Sequence, residues 1–181
     1  MSEKEKYLDY IQVIDGKESW KASAMSYVEK DVFRKHPDKA WALINDDPKN
    51  IELFSVQFLM DNRKMVDYVF NRTFNAAREG REESYLSYIP FQVLRQYYTD
   101  VLRLVSENGM FIKFVPFELQ NEYVQIPYEA VKQNPASIKF CSPRALIDYP
   151  DICLMALKAG WENFFLIPSE VRNRFSFNLL N

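Results

Sequence analysis

Glycine is scarce, with four in 181 residues. That leaves little for a turn-rich sheet protein, and no GxGxxG, P-loop or GxSxG pattern occurs to cradle phosphate or present a nucleophile. Cysteine is rarer still. Cys141 and Cys153 cannot frame a disulfide scaffold, and their apolar neighbours point to buried free thiols in a reducing compartment. His36 is the only histidine, so no His/Cys set stands at zinc-ligand spacing. A Cys–His pair with Cys141 or Cys153 lacks any flanking signature, and His36, just before Pro37, reads as a solvated residue at a helix start. No run of about 18 apolar residues exists, so no membrane-spanning helix is expected. The charged stretch Met1-Ser-Glu-Lys-Glu-Lys6 does not resemble a classical signal peptide. Net charge is −2 and the basic residues are scattered singly, without the footprint of a nucleic-acid binder. Asp46-Asp47 and Glu79–Glu83 are explained by helix ending and by a solvated mixed-charge loop. Neither makes a hard-cation site. No catalytic residue, cofactor or metal is expected.

What is present is a period. Val105–Pro116, Val131–Ser142 and Leu157–Pro168 carry one pattern three times, 26 residues apart. Asn108, Asn134 and Gly160 share a column. So do Ile112, Ile138 and Phe164, and Phe114, Phe140 and Leu166. A fixed period of this size marks stacked repeats that bury their apolar faces against one another. Asn or Asp before Pro, as in Asn134-Pro135 and Asp47-Pro48, ends one helix and caps the next. Lys132 and Lys158 fall in the last turn before that stop, where the helix dipole favours cations. A second turn begins at Pro116, Ser142-Pro143 and Pro168-Ser169.

In chain order, Tyr7, Leu8, Ile11 and Ile14 predict a helix over 3–15 stopped by Gly16. Residues 25–33 form half of a degenerate unit. A helix over about 38–46 follows Pro37, with Trp41 and Ile44 inward. Asp61-Asn62 caps a long helix over about 63–79 that Gly80 ends. Here the period breaks: Ile51 to Leu86 spans nine residues more than 26. The polar surplus Ala76–Glu83 is expected to add about two turns projecting past the stack, removable without loss of folding. Long helices are predicted near 93–107, 121–133 and 149–159. Pro127 either kinks the middle one or marks its late start. A short helix over 169–174 precedes the apolar tail Phe175–Asn181, which packs back or docks on a second copy.

The expected fold is therefore all-α, a single domain over 1–181. Residues 1–36 hold the N-terminal helix and degenerate unit. Residues 37–174 hold 26-residue units, each one long helix plus two short helical turns, with a nine-residue insertion near 76–84; 175–181 is the tail. The stack is a short curved solenoid. Tyr128–Pro143, and Ala130-Val-Lys-Gln-Asn134 above all, resembles uncharacterised tandem helical repeats whose units read roughly AVKQN–x–x–ALKY–x–SPEL. The resemblance covers about residues 100–174. It implies a helical repeat of a kind seen in bacterial and effector-like proteins, and brings no catalytic residues.

Stacked helical repeats make extended binding surfaces. The first functional expectation is a non-enzymatic protein-interaction module. Its surface would be the insertion and the aromatics behind it: Arg78, Glu79, Arg81, Tyr85, Tyr88, Phe91, Tyr97 and Tyr98. The alternative is an enzyme or toxin-like effector whose site gathers residues distant in sequence. A third possibility is an assembly subunit joined through Phe175–Asn181. The partner is expected to be another protein, with no nucleic acid and no membrane. Location is cytoplasmic, or in a host cell after export by a non-classical route.

Overall fold

The computed structural model describes residues 11–14, 17–20, 33–81 and 83–178. The first departure from expectation is at the N-terminus. Ile11–Ile14 and Lys17–Trp20 form antiparallel strands β1 and β2, with Ile11 opposite Trp20 and Ile14 opposite Lys17. The predicted helix over 3–15 is thus replaced at 11–14. Ile11, Val13 and Ile14 are β-branched, which favours extended backbone over helix. Residues 3–10 and the half-unit at 25–32 lie outside the described residues.

From residue 37 the described chain is all-α. Helix α1 (Pro37–Asp46) starts on its proline, whose missing N–H costs nothing in a first turn. Ala40, Leu43 and Ile44 are buried, but Trp41 is 37% exposed at the edge of that stripe. Its ring leans on Tyr68 at 5.2 Å instead of entering the core. The 3-10 helix η1 (Pro48–Leu53) and helix α2 (Val56–Asp61) follow, then the long α3 (Arg63–Arg78). Asn62 precedes α3 without capping it. Its amide donates back to the Phe58 carbonyl at 2.8 Å.

At the other end of α3, Gly80 adopts φ 70°. Its N–H donates to Ala77 O, and the Arg81 N–H donates to Ala76 O at 2.9 Å, the paired bonds of a Schellman stop. Ala76 and Ala77 are buried, and the Tyr85 N–H donates to Thr73 Oγ1 at 3.2 Å. The surplus Ala76–Glu83 therefore does not project. The helix stops at Arg78, and the chain is fastened back against α3.

Beyond it come η2 (Leu86–Tyr88), α4 (Phe91–Gln96), α5 (Tyr98–Glu107), η3 (Gly109–Phe114), α6 (Phe117–Glu122) and α7 (Gln125–Gln133). They are followed by η4 (Pro135–Phe140), α8 (Pro143–Asp148), α9 (Asp151–Ala159), η5 (Trp161–Leu166) and α10 (Ser169–Asn178). The elements η3, η4 and η5 begin 26 residues apart, as do α4, α6 and α8. The helix predicted over 93–107 is divided at Tyr97, and the one over 121–133 starts only at Gln125. Pro127 falls in the first turn of α7, so it marks a late start. One column holds every such division: Tyr97, Tyr123 and Tyr149 are the C-cap residues of α4, α6 and α8.

The capping column works as its chemistry dictates. Asp47, Asn108 and Asn134 accept from the backbone N–H of Lys49, Met110 and Ala136 at 3.0, 3.1 and 3.1 Å. Gly160 makes the same turn in extended backbone. Asn50 and Asn163, three places on, donate to Leu43 O and Ala156 O, both at 2.9 Å, tying the short helix to the long one. Asn108→Ala and Asn134→Ala should each cost about 1 kcal/mol in urea unfolding, and the double variant about the sum.

Like elements pack on like. Helices α3, α5, α7 and α9 pack in succession; so do η3, η4 and η5, and α2, α4, α6, α8 and α10. One apolar core runs between these layers from Phe33 to Val171. The predicted last helix, 169–174, extends to Asn178; how the side chains of Phe175–Asn181 pack lies outside the described residues.

Candidate functional site: grooves between the long helices

Clefts open at the start of the long-helix layer and between its successive members. The first, about 570 Å³, is lined by Pro37, Trp41, Met60, Arg63 and Met65, where α1 meets α2 and α3. Its wall is firm: Trp41 rests on Tyr68, whose hydroxyl donates to Asn45 Oδ1 at 3.0 Å. The second, about 360 Å³, lies between α3 and α5 and is polar. Asp67 and Asn71 face Asp100 and Arg103 across Phe70, Phe74 and Tyr97. Tyr97 stacks on Phe70 at 5.2 Å, and Arg103 covers the Phe74 ring at 4.1 Å. Burial, then the neighbouring Asp67 carboxylate, pushes the Tyr97 hydroxyl up to about 12.

The third opening, between α7 and α9, has two adjoining parts of about 450 and 250 Å³. Tyr128 and Asp151 border both. Leu154, Met155 and Lys158 complete one; Val124, Gln125, Tyr149 and Ile152 complete the other. Tyr128, Tyr149 and Leu154 are 42, 48 and 49% exposed. Each helix has already buried its other stripe, through Ile126, Ala130 and Val131 on α7 and Ile152, Cys153 and Ala156 on α9. The exposed apolar residues are therefore surplus to the core. Trp161 and Phe165, on η5, are also well exposed.

Of the surface expected from the sequence, the structure keeps part. Arg78 is exposed and pairs with Glu107 at 3.1 Å, bridging α3 and α5. Arg81 pairs with Glu79 at 2.8 Å and also with Glu83. Tyr85 is a core residue, which corrects its place on an exposed surface. Its hydroxyl donates to Glu83, and that bond holds the Glu83 carboxyl below its usual range. Tyr97 is also core, fixed between α3 and α5 by its stacking on Phe70. Tyr88 and Phe91 are half-buried against the core, with Lys49 over the Tyr88 ring at 5.9 Å. Tyr98 is stacked on Tyr123 at 4.2 Å. Of these residues, Tyr97 lines one of the clefts described above.

Of the groove residues, Trp41 is expected from the sequence to face inward, and Tyr128, Tyr149 and Leu154 carry no functional expectation there. A signal existed. Leu102, Tyr128 and Leu154 form one 26-residue column, and Tyr97, Tyr123 and Tyr149 form another.

His36 is exposed at the start of α1. Both thiols are buried and free. Burial pushes Cys141 far up and Cys153 to about 11, so neither is a thiolate at neutral pH. They should react with a thiol reagent only as fast as the protein unfolds. The native state also keeps these protons, and that of Tyr97, where the unfolded chain releases them. Their contribution to stability is complete below the unfolded values, near 9 and 10, and declines as pH rises past them. Urea midpoints should fall on the alkaline side, and less so in Cys141→Ala/Cys153→Ala.

Among the described residues no three His, Cys, Asp or Glu side chains gather as a metal site, and no helix is long and apolar enough to cross a membrane. Comparison with protein-family models, curated proteins and solved structures finds no match to this chain.

Proposed function

We propose that this chain is a short tandem-repeat helical solenoid that acts as a non-enzymatic protein-interaction module, binding its partner along the long-helix layer. The carrying observation is that the clefts at the start of this layer and between its members present exposed apolar side chains the core does not use: Trp41 at one end, Tyr128, Tyr149 and Leu154 at the other. Buried aromatic and aliphatic anchors dominate protein–protein affinity, and stacked helices offer them in a row. The resemblance to the AVKQN-type repeats, with its bacterial and effector-like setting, is kept as part of this reading.

The test is capture of partners from the native host by the parent chain and by Trp41→Ser/Tyr128→Ser/Leu154→Ser. These positions are on the surface, so thermal unfolding should shift little, and captured proteins should be lost. Unchanged capture by a folded triple variant would sink the reading. A second reading, an enzyme assembled from distant residues, has its best locus in the polar cleft of Asp67, Tyr97, Asp100 and Arg103. There Tyr97 stays protonated at neutral pH, so it could serve as a proton donor or hydrogen-bonding group but not as a base. Asp67→Asn with unchanged biological activity would count against it.

A further inference from the structure

The α7–α9 groove carries more than apolar surface. Asp151 stands in the first turn of α9 and Lys158 in its last, with Leu154 between them and Tyr128 across the groove. The other charges on α7 satisfy each other, Lys132 meeting Glu129 at 3.1 Å, and on the neighbouring α8 Arg144 meets Asp148 at 3.6 Å. Among the described residues neither Asp151 nor Lys158 has an ion-pair partner. The groove thus has a free carboxylate toward one end, a free ammonium toward the other, and apolar side chains between. Seven residues of helix separate those charges by about 10 Å.

We infer that this groove takes an amphipathic helix of a partner protein. That helix carries a basic residue for Asp151, apolar anchors against Tyr128 and Leu154, and an acidic residue two turns from the basic one for Lys158. The inference rests on the interaction-module reading and names the chemistry of the partner. Two packed helices whose outward residues leave a trough are the usual seat for a third helix. The third reads it with anchors at i, i+3, i+4 and i+7. The charges fix its direction, because reversing the helix would set like against like at both ends.

The probe is a fluorescein-labelled, alanine-based helical peptide with Arg at i, Leu at i+3 and i+4, and Glu at i+7. It is titrated by anisotropy against the full chain. A second peptide carries Glu at both i and i+7, so that either direction leaves one like-charge pair. A third sets the Arg and Glu three residues apart in an extended, proline-flanked context. The native chain should prefer the first peptide over the second by roughly fivefold, since one surface pair turns from an attraction into a repulsion. Asp151→Lys should invert that preference, a reversal that a loss of folding cannot produce. Leu154→Ser should weaken both peptides alike. Asp151→Asn, which keeps the shape of the first turn, should lower affinity without inverting preference. Equal affinity for the two helical peptides, no binding by either, or tighter binding of the extended peptide would each overturn the inference. If capture by the native chain still depends on Trp41, Tyr128 and Leu154, such a result removes the helix assignment alone. Loss of that dependence removes the wider reading as well.

Discussion

Gly109→Ala should destabilise the protein by about 3 kcal/mol in urea unfolding, the upper range for forcing one extra carbon into a packed site. A Cβ at this position would sit 2.2 Å from the backbone oxygen of Ala130 and 3.1 Å from its carbon. Neither atom can swing aside, because both belong to α7. The Ala130 carbonyl accepts the Asn134 N–H at 2.9 Å, the bond that closes the helix at its cap. The Gly109 N–H donates to Gln133 Oε1 at 2.6 Å, and the Gln133 amide reaches back to Glu107 O at 3.3 Å. Displacing η3 would therefore disturb the end of α7 and the tie between two neighbouring segments together.

The control is Gly160→Ala. Its Cβ would also fall 2.2 Å from another atom, but that atom is a carboxylate oxygen of Glu162. The exposed Glu162 side chain can rotate away, so the change should lie within about 0.5 kcal/mol of neutral. An equal effect of the two substitutions would show that backbone approach is not what Gly109 provides. Gly80 differs again: its added Cβ meets nothing within 4 Å, and its cost comes only from φ 70°, about 1 kcal/mol.

Deleting 76–83 should be still more damaging, by at least 3 kcal/mol or through loss of a cooperative transition. The stretch reads as a removable polar surplus, and polarity is a sound guide when a segment lies in solvent. Here its two alanines are buried and its glycine closes α3. Excision also removes the residues that let Tyr85 reach Thr73, whose hydroxyl oxygen takes the Tyr85 N–H. A deletion variant that melts with the parent chain would show that α3 ends equally well elsewhere.

The division between the two levels can be traced through particular residues. Asn108, Asn134 and Asp47 were legible because a cap is local: a short oxygen-bearing side chain meets a backbone N–H two residues away. The spacing of η3, η4 and η5 was legible for the same reason, since each is written in its own few residues. The Tyr97, Tyr123 and Tyr149 column was equally present in the chain. It does not mark itself, because tyrosine, unlike proline or glycine, carries no backbone restriction that signals a helix break. Ile11–Ile14 satisfies helical and strand spacing alike over four residues, and only pairing with Lys17–Trp20 decides between them.

Composition and local order by themselves determined the all-α class from residue 37 onward, the caps at Asp47, Asn108 and Asn134, and the burial of the thiols. All three follow from interactions within a few residues or from simple apolar content. Tertiary structure alone decided which aromatics work in the core and which face outward. Tyr85 and Tyr97 are buried while Tyr128 and Tyr149 are exposed, although all four are the same side chain in similar surroundings along the chain. The outcome depends on what the neighbouring helix places opposite each ring. Among the described residues Asp151 and Lys158 stay unpaired for the same reason, and no reading along one chain supplies that distance in space.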